Sequence, residues 1–145
     1  MLYVVDDAAD YRFLVQQVFN RFLPQYSMRL FADGLDLMQH IDQRSNESKA
    51  EPTTSESIWP SLIVLDMDMP RLNGFQTLER LKHYPRWESI PVVIMSHHSD
   101  SALAETAYKQ GAQAYLTKPL HITDLQKVMG QLCYEWLNAD ENNQA

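Results

Sequence analysis

The chain is 145 residues long, enough for one domain that buries most of the surface its unfolded form would expose. Hydrophobic residues make up 45% and charged residues 21%, the balance of a globular protein, and a net charge of −7 disfavours a direct grip on nucleic acid or anionic lipid. No run approaches the roughly 18 apolar residues of a membrane span, and the single Cys133 excludes an internal disulfide and fits a reducing, cytoplasmic setting.

Met1 leads at once into a short apolar run, residues 2–5 (LYVV), which leaves no room for a signal peptide; the run is short enough that a few preceding residues are expected to have been trimmed. Asp6-Asp7 follows it. Tyr11, Leu14, Val15, Val18 and Phe22 then recur at helical spacing on one face, with Pro24 just beyond the end. Residues 28–31 read as a second strand, and Leu37, Met38 and Ile41 as a short helix after Asp33-Gly34. Residues 43–57 (QRSNESKAEPTTSES) carry no aromatic and no large aliphatic side chain. They cannot bury enough apolar area to offset their ordering entropy, and a long polar surface loop is expected.

The third strand, residues 62–65 (LIVL), runs into Asp66, and Phe75, Leu78 and Leu81 mark a helix after Asn73-Gly74. Residues 92–95 (VVIM) run into Ser96. Residues 99–110 contain good helix formers but a thin apolar face ending at Gly111, so this helix should be the least firmly packed. Residues 114–117 (AYLT) run into Lys118-Pro119, and Leu125, Val128, Met129, Leu132 and Trp136 form a strong stripe after Thr123-Asp124. The domain is expected to cover residues 1–138, with residues 139–145 a frayed polar tail.

Short apolar runs without two-residue alternation suit strands covered on both faces, and helices between them imply right-handed crossovers: a doubly wound α/β fold around a five-stranded parallel sheet. Strand order 2-1-3-4-5 would set strands one and three at the topological switch point, with Asp6-Asp7 beside Asp66. In such a sheet the carboxyl ends of all strands emerge at one edge. Carboxylates, a hydroxyl and an ammonium would therefore converge there.

That set of groups points to a divalent cation and a phosphoryl group. Two carboxylates about 4 Å apart repel by roughly 4 kcal/mol at an effective dielectric near 20, so the cluster needs a cation or a raised pKa. Magnesium favours hard oxygen ligands and is commonly held by one or two carboxylates together with phosphate oxygens. Asp66, before a strand-ending Pro70, suits a ligand or a nucleophile towards phosphorus; Ser96 suits a hydroxyl donor to a phosphoryl oxygen; Lys118 suits a point charge on phosphate. Taken singly, each has a plainer reading. Asp6-Asp7 and Ser96 are also ordinary helix caps, Asp66 an Asx turn, and Lys118 a solvated lysine. Four such accidents at the same end of four strands are a poor explanation of the set.

With these residues in place, VVDD at 4–7, LIVLDMDMPRLNG at 62–74, PVVIMS at 91–96 and GAQAYLTKP at 111–119 closely resemble the receiver domains of bacterial two-component response regulators, over essentially the whole chain. The resemblance implies a flavodoxin-like, three-layered fold with the same strand order. It implies that Asp66 accepts a phosphoryl group from a sensor histidine kinase or a histidine phosphotransfer protein. Asp7, Asp66 and the backbone carbonyl of Asp68 would hold Mg2+, with Asp6 acting through water, and Lys118 and Ser96 would neutralise the phosphoryl oxygens. Slow loss of the acyl phosphate would follow. Ser96 and Tyr115 would be the switch pair, remodelling the helix 4–strand 5–helix 5 face for a downstream protein target that the sequence does not name. A homodimer through that face is compatible with the resemblance, as is either a stand-alone receiver or a fragment of a larger regulator.

The chain departs from the family pattern at His97, where a small residue is usual, at His98 and Asp68, which lie by the attacking water's route, and in the length of residues 43–57. Two other functions compete. A haloacid-dehalogenase-like phosphohydrolase would use Asp66-Met67-Asp68, but it needs that motif near the N-terminus and an acid pair after the lysine. A pseudo-receiver would bind partners without being phosphorylated.

Overall fold

The computed structural model describes residues 1–47 and 59–137. Five parallel strands, β1 (Leu2–Val5), β2 (Met28–Phe31), β3 (Leu62–Asp66), β4 (Val92–Ser96) and β5 (Ala114–Thr117), form one sheet in the order β2-β1-β3-β4-β5. This is the doubly wound arrangement expected. Its register sets Val5 opposite Leu65 and Asp66 opposite Met95.

Alternate side chains of the strands feed two separate cores, which is why the runs show no polar alternation. Tyr3, Val5, Ile63, Leu65 and Ile94 point into one, with Leu37, Met38 and Ile41 of α2 (Gly34–Glu47) and Leu78 and Leu81 of α3 (Gly74–Leu81). Leu2, Val4, Leu62, Val64, Val93 and Met95 point into the other, with Val15, Val18 and Phe19 of α1 (Ala9–Phe22) and Leu125, Met129, Leu132 and Cys133 of α6 (Ile122–Trp136). Each fully buried large apolar side chain contributes about 1.5–3 kcal/mol. By that measure α6 is firmly docked, whereas α5 (Ser101–Lys109) buries only Ala107 and depends on its Asp100 cap, whose side chain accepts the Ala102 N–H at 2.8 Å. The thin face expected of this helix is what the fold contains.

Two local expectations are corrected, and one short helix is added. Residues 43–47, expected to open the polar loop, continue α2 as far as Glu47; helix propagation adds a backbone hydrogen bond per residue and needs no apolar side chain. Residues 48–57 and the expected tail at 139–145 lie outside the described residues. Phe22, assigned to the buried stripe of α1, is 44% exposed, and Phe19 takes the core position instead. A short helix, α4 (Pro85–Glu88), precedes β4 and buries Trp87; four residues are too few to show a periodicity. Among the described residues no helix is long and apolar enough to cross a membrane.

Candidate functional site

The acidic residues stand where β1 and β3 leave the sheet. Asp6 and Asp66 are 2% and 3% exposed, while Asp7 faces solvent. One carboxylate oxygen from each of Asp6, Asp7 and Asp66 lies within 4.8 Å of the others, a grouping suited to one cation. The Lys118 ammonium, delivered from the end of β5, sits 2.6 Å from Asp6 Oδ2 and 3.4 Å from Asp66 Oδ2. Acids and lysine, 112 positions apart at the extremes, thus share one pocket as their placement at strand ends requires.

Several plainer roles hold at the same time. Asp6 Oδ1 accepts the Ala8 N–H at 2.9 Å and Asp66 Oδ1 accepts the Asp68 N–H at 3.2 Å, so both carboxylates close Asx turns. Each turn spends one oxygen and aims the other at Lys118. Ser96, by contrast, is no helix cap: it ends β4 fully buried, and the α5 cap is Asp100.

The electrostatics follow from burial. Burial, then the charge of Asp6, pushes Asp66 up to about 6 against the opposing pull of Lys118. For Lys118 burial disfavours the charge, but the bonds and charges of Asp6 and Asp66 outweigh it and hold the ammonium above the usual lysine range. One lysine does not fully neutralise the acid cluster, which leaves a demand for a further cation.

Sequence reasoning missed three supports of the site. Tyr11, read as part of the α1 core stripe, lies with its ring centroid 4.2 Å from Lys118 Nζ and donates its hydroxyl to the Pro119 carbonyl at 2.8 Å. Burial, reinforced by the charges of Asp6 and Asp66, raises its pKa and keeps the phenol a neutral donor. Its place one turn after Asp6-Asp7 was the available signal. Gly74 is required because a Cβ there would sit 3.0 Å from Met67 Cα and 3.1 Å from the Asp66 carbonyl oxygen. The third support is the backbone of His98. Its N–H donates to Ser96 Oγ at 3.1 Å, and its carbonyl accepts the Tyr115 hydroxyl at 2.9 Å. The two residues expected to form the switch are therefore joined through a single residue of the β4–α5 loop. Asp68 turns its carboxylate to the His97 N–H at 3.4 Å.

A parallel 2-1-3-4-5 sheet with an acid cluster and a buried lysine at its carboxyl edge defines a phosphoryl-handling switch of the receiver class. A family model, the response regulator receiver domain, matches residues 2–129, and the chain belongs to that family. It is 32% identical over 139 residues to response regulator Rcp1 of a Synechocystis strain, covering 94% of this chain and 88% of Rcp1. It is 39% identical over 77 residues to the nitrate/nitrite response regulator protein NarL of Escherichia coli, covering 53% of this chain and 35% of NarL. Among solved structures, the Mn(2+)-bound form of Rcp1 superposes with a TM-score of 0.74 at 26% identity, covering 94% of this chain and 93% of that one. The phosphorylated cyanobacterial phytochrome response regulator RcpA, at 24% identity and TM-score 0.75 over 95% of this chain and 94% of its own, shares the fold. The chain is a receiver domain of a two-component response regulator, and neither the dehalogenase-like hydrolase nor the unphosphorylated interaction module is favoured.

Proposed function

We propose that Asp66 is the phosphoacceptor, taking a phosphoryl group from a phosphohistidine on a sensor histidine kinase or a histidine phosphotransfer protein. A carboxylate oxygen attacks phosphorus, the P–N bond breaks towards the departing imidazole, and an acyl phosphate forms on Asp66. The observation that carries this reading is the buried Asp66 Oδ2 held 3.4 Å from the Lys118 ammonium. That charge is fixed where negative charge gathers on the transferring group. Ser96 Oγ already accepts the His98 N–H, so its own proton is available to a phosphoryl oxygen.

The donor set fits a hard divalent cation. Three carboxylates with no thiol or imidazole among the grouped ligands suit Mg2+ or Mn2+. Asp7, Asp66 and the Asp68 backbone carbonyl would hold it; Asp6, with one oxygen on Ala8 N–H and the other on Lys118, is suited to an indirect role through water. When bound, the cation supplies charge neutralisation for the phosphoryl oxygens.

On phosphorylation, Ser96 is drawn towards the new phosphate and its bond to His98 N–H is lost, which frees the loop that anchors Tyr115. The face formed by α5, β5 and α6 then changes for a downstream protein, as a population shift between two packings. Slow hydrolysis of the acyl phosphate by the domain itself ends the signal, and the whole cycle runs in the cytoplasm.

The test is acetyl phosphate with Mg2+ followed by intact-mass measurement. Wild type is expected to gain one phosphoryl group and Asp66→Asn none. An unmodified wild type, or an equally modified variant, overturns the assignment.

A further inference from the structure

Tyr11 stands against the acid site without belonging to its donor set, and its polar contacts converge on Lys118 and the neighbouring Pro119. It is the third residue of α1, on the turn of helix that follows Asp6-Asp7. That turn is fixed to the end of β1: Arg12 donates through Nη1 to the Asp6 carbonyl at 2.7 Å, and its backbone N–H donates to the Ala8 carbonyl at 3.0 Å. From this anchored turn the half-buried Tyr11 ring covers the Lys118 ammonium, with 4.2 Å from centroid to Nζ, while its hydroxyl donates to the Pro119 carbonyl at 2.8 Å. One side chain therefore holds both the head of Lys118 and the backbone beside it.

The ammonium of Lys118 lies 2.6 Å from Asp6 Oδ2 and 3.4 Å from Asp66 Oδ2, on a side chain that is 4% exposed. What else stands beside the charge decides how firmly it is held there. A further carboxylate would draw the ammonium off this pair. Water would hydrate it and let it exchange between positions, and an aliphatic side chain would desolvate it and return nothing. The face of an aromatic ring attracts a cation but offers it no lone pair in competition with the carboxylates. The Tyr11 ring therefore keeps the ammonium dry and leaves its N–H donors to Asp6, to Asp66 and to oxygens that arrive at Asp66. The lysine is ordered before reaction begins, which is the condition for electrostatic stabilisation of a transferring group.

We propose that Tyr11 is a positioning residue for phosphoryl transfer, holding the Lys118 ammonium against Asp66 through its ring and the chain at Pro119 through its hydroxyl. The effect on transfer rests on the assignment of Asp66 as phosphoacceptor. The hold on Lys118 rests only on contacts that exist before any phosphoryl group arrives. Of the two contacts the ring is the more important, because it acts on the charge itself in a water-poor site. The hydroxyl acts one residue away, on the backbone.

The experiment has two readouts on the full chain. One is the rate of acetyl phosphate labelling with Mg2+, by intact mass; the other is the side-chain ammonium resonance of Lys118 in chelator with no phosphodonor, assigned by its absence from Lys118→Met. Wild type is expected to show an ammonium resonance protected from solvent exchange. Tyr11→Leu and Tyr11→Met, which lack the ring, should lose it and label about tenfold more slowly. Tyr11→Phe, which keeps the ring and drops the bond to Pro119, should keep the resonance and label about threefold more slowly. In a Lys118→Met background Tyr11→Leu should slow labelling no further, because the tyrosine acts through the lysine. Circular dichroism confirms that each variant is folded. A protected resonance or a wild-type labelling rate in the ringless variants would overturn the proposal, as would equal slowing with and without the lysine, or a wild type that lacks the resonance. If wild type takes no phosphoryl group, it is the assignment of Asp66 that fails, and the resonance alone decides whether Tyr11 holds Lys118.

Discussion

Replacing Lys118 with methionine keeps an unbranched side chain one atom shorter and removes its charge, leaving Asp6 and Asp66 without the ammonium that pairs with both. Those two side chains are each about 3% exposed, so water cannot substitute for the lost ammonium. Two carboxylates near 4 Å repel by about 4 kcal/mol at an effective dielectric of 20, and breaking a buried ion pair from one side typically costs about 3–5 kcal/mol. With a urea slope of about 2 kcal/mol/M, the expected fall in the unfolding midpoint is about 2 M at neutral pH with metal chelated. Two further readings give the prediction its shape. The loss should shrink below pH 6, because Asp66, already raised to about 6 by burial and by Asp6, can take a proton and relieve the repulsion. It should also shrink when Mg2+ is added, because a cation held by the same carboxylates replaces the missing charge. A variant as stable as wild type in chelator at neutral pH would refute the reasoning, since it would mean that desolvating Lys118 costs as much as its two carboxylate contacts return.

The other expectations follow from single contacts. Gly74→Ala places a methyl 3.0 Å from Met67 Cα and 3.1 Å from the Asp66 carbonyl, both backbone; a loss of about 1–3 kcal/mol is expected, with slower acetyl phosphate labelling because the strain falls on Asp66 itself. Tyr115→Phe removes an exposed bond to the His98 carbonyl and should cost less than about 1 kcal/mol, while hydrogen exchange at the amides of residues 97–100 quickens. For His40, burial and then the charges of Arg29 and Arg44 lower the pKa to about 4. The folded state therefore prefers the neutral ring, whose Nε2 lies 3.0 Å from the Tyr3 hydroxyl. This contribution is complete above the unfolded value near 6.5 and is lost as pH falls from there towards 4. Asp66 has the opposite sign, so the measurement is the difference in stability between wild type and His40→Asn across that window; a difference independent of pH would contradict the assignment.

The sequence by itself determined the sheet and the contents of the site. The three central strands, β1, β3 and β4, are built on runs of four apolar residues whose alternate side chains feed two cores, so the runs stand out locally. Each chemical group stands at the carboxyl end of a strand, so the parallel topology alone carries Asp6, Asp7, Asp66, Ser96 and Lys118 to the same edge. What tertiary structure decided were pairings between segments with no local signature: the Tyr11 ring over Lys118, the His98 peptide joining Ser96 to Tyr115, Trp87 on a helix of four residues, and the arginines gathered on Trp59 and Phe31. Periodicity reports which face of an element is buried. It does not report what lies across from that face, and at this site the turn-closing and lysine-pairing roles of Asp6 and Asp66 became one arrangement only when β1, β3 and β5 came together.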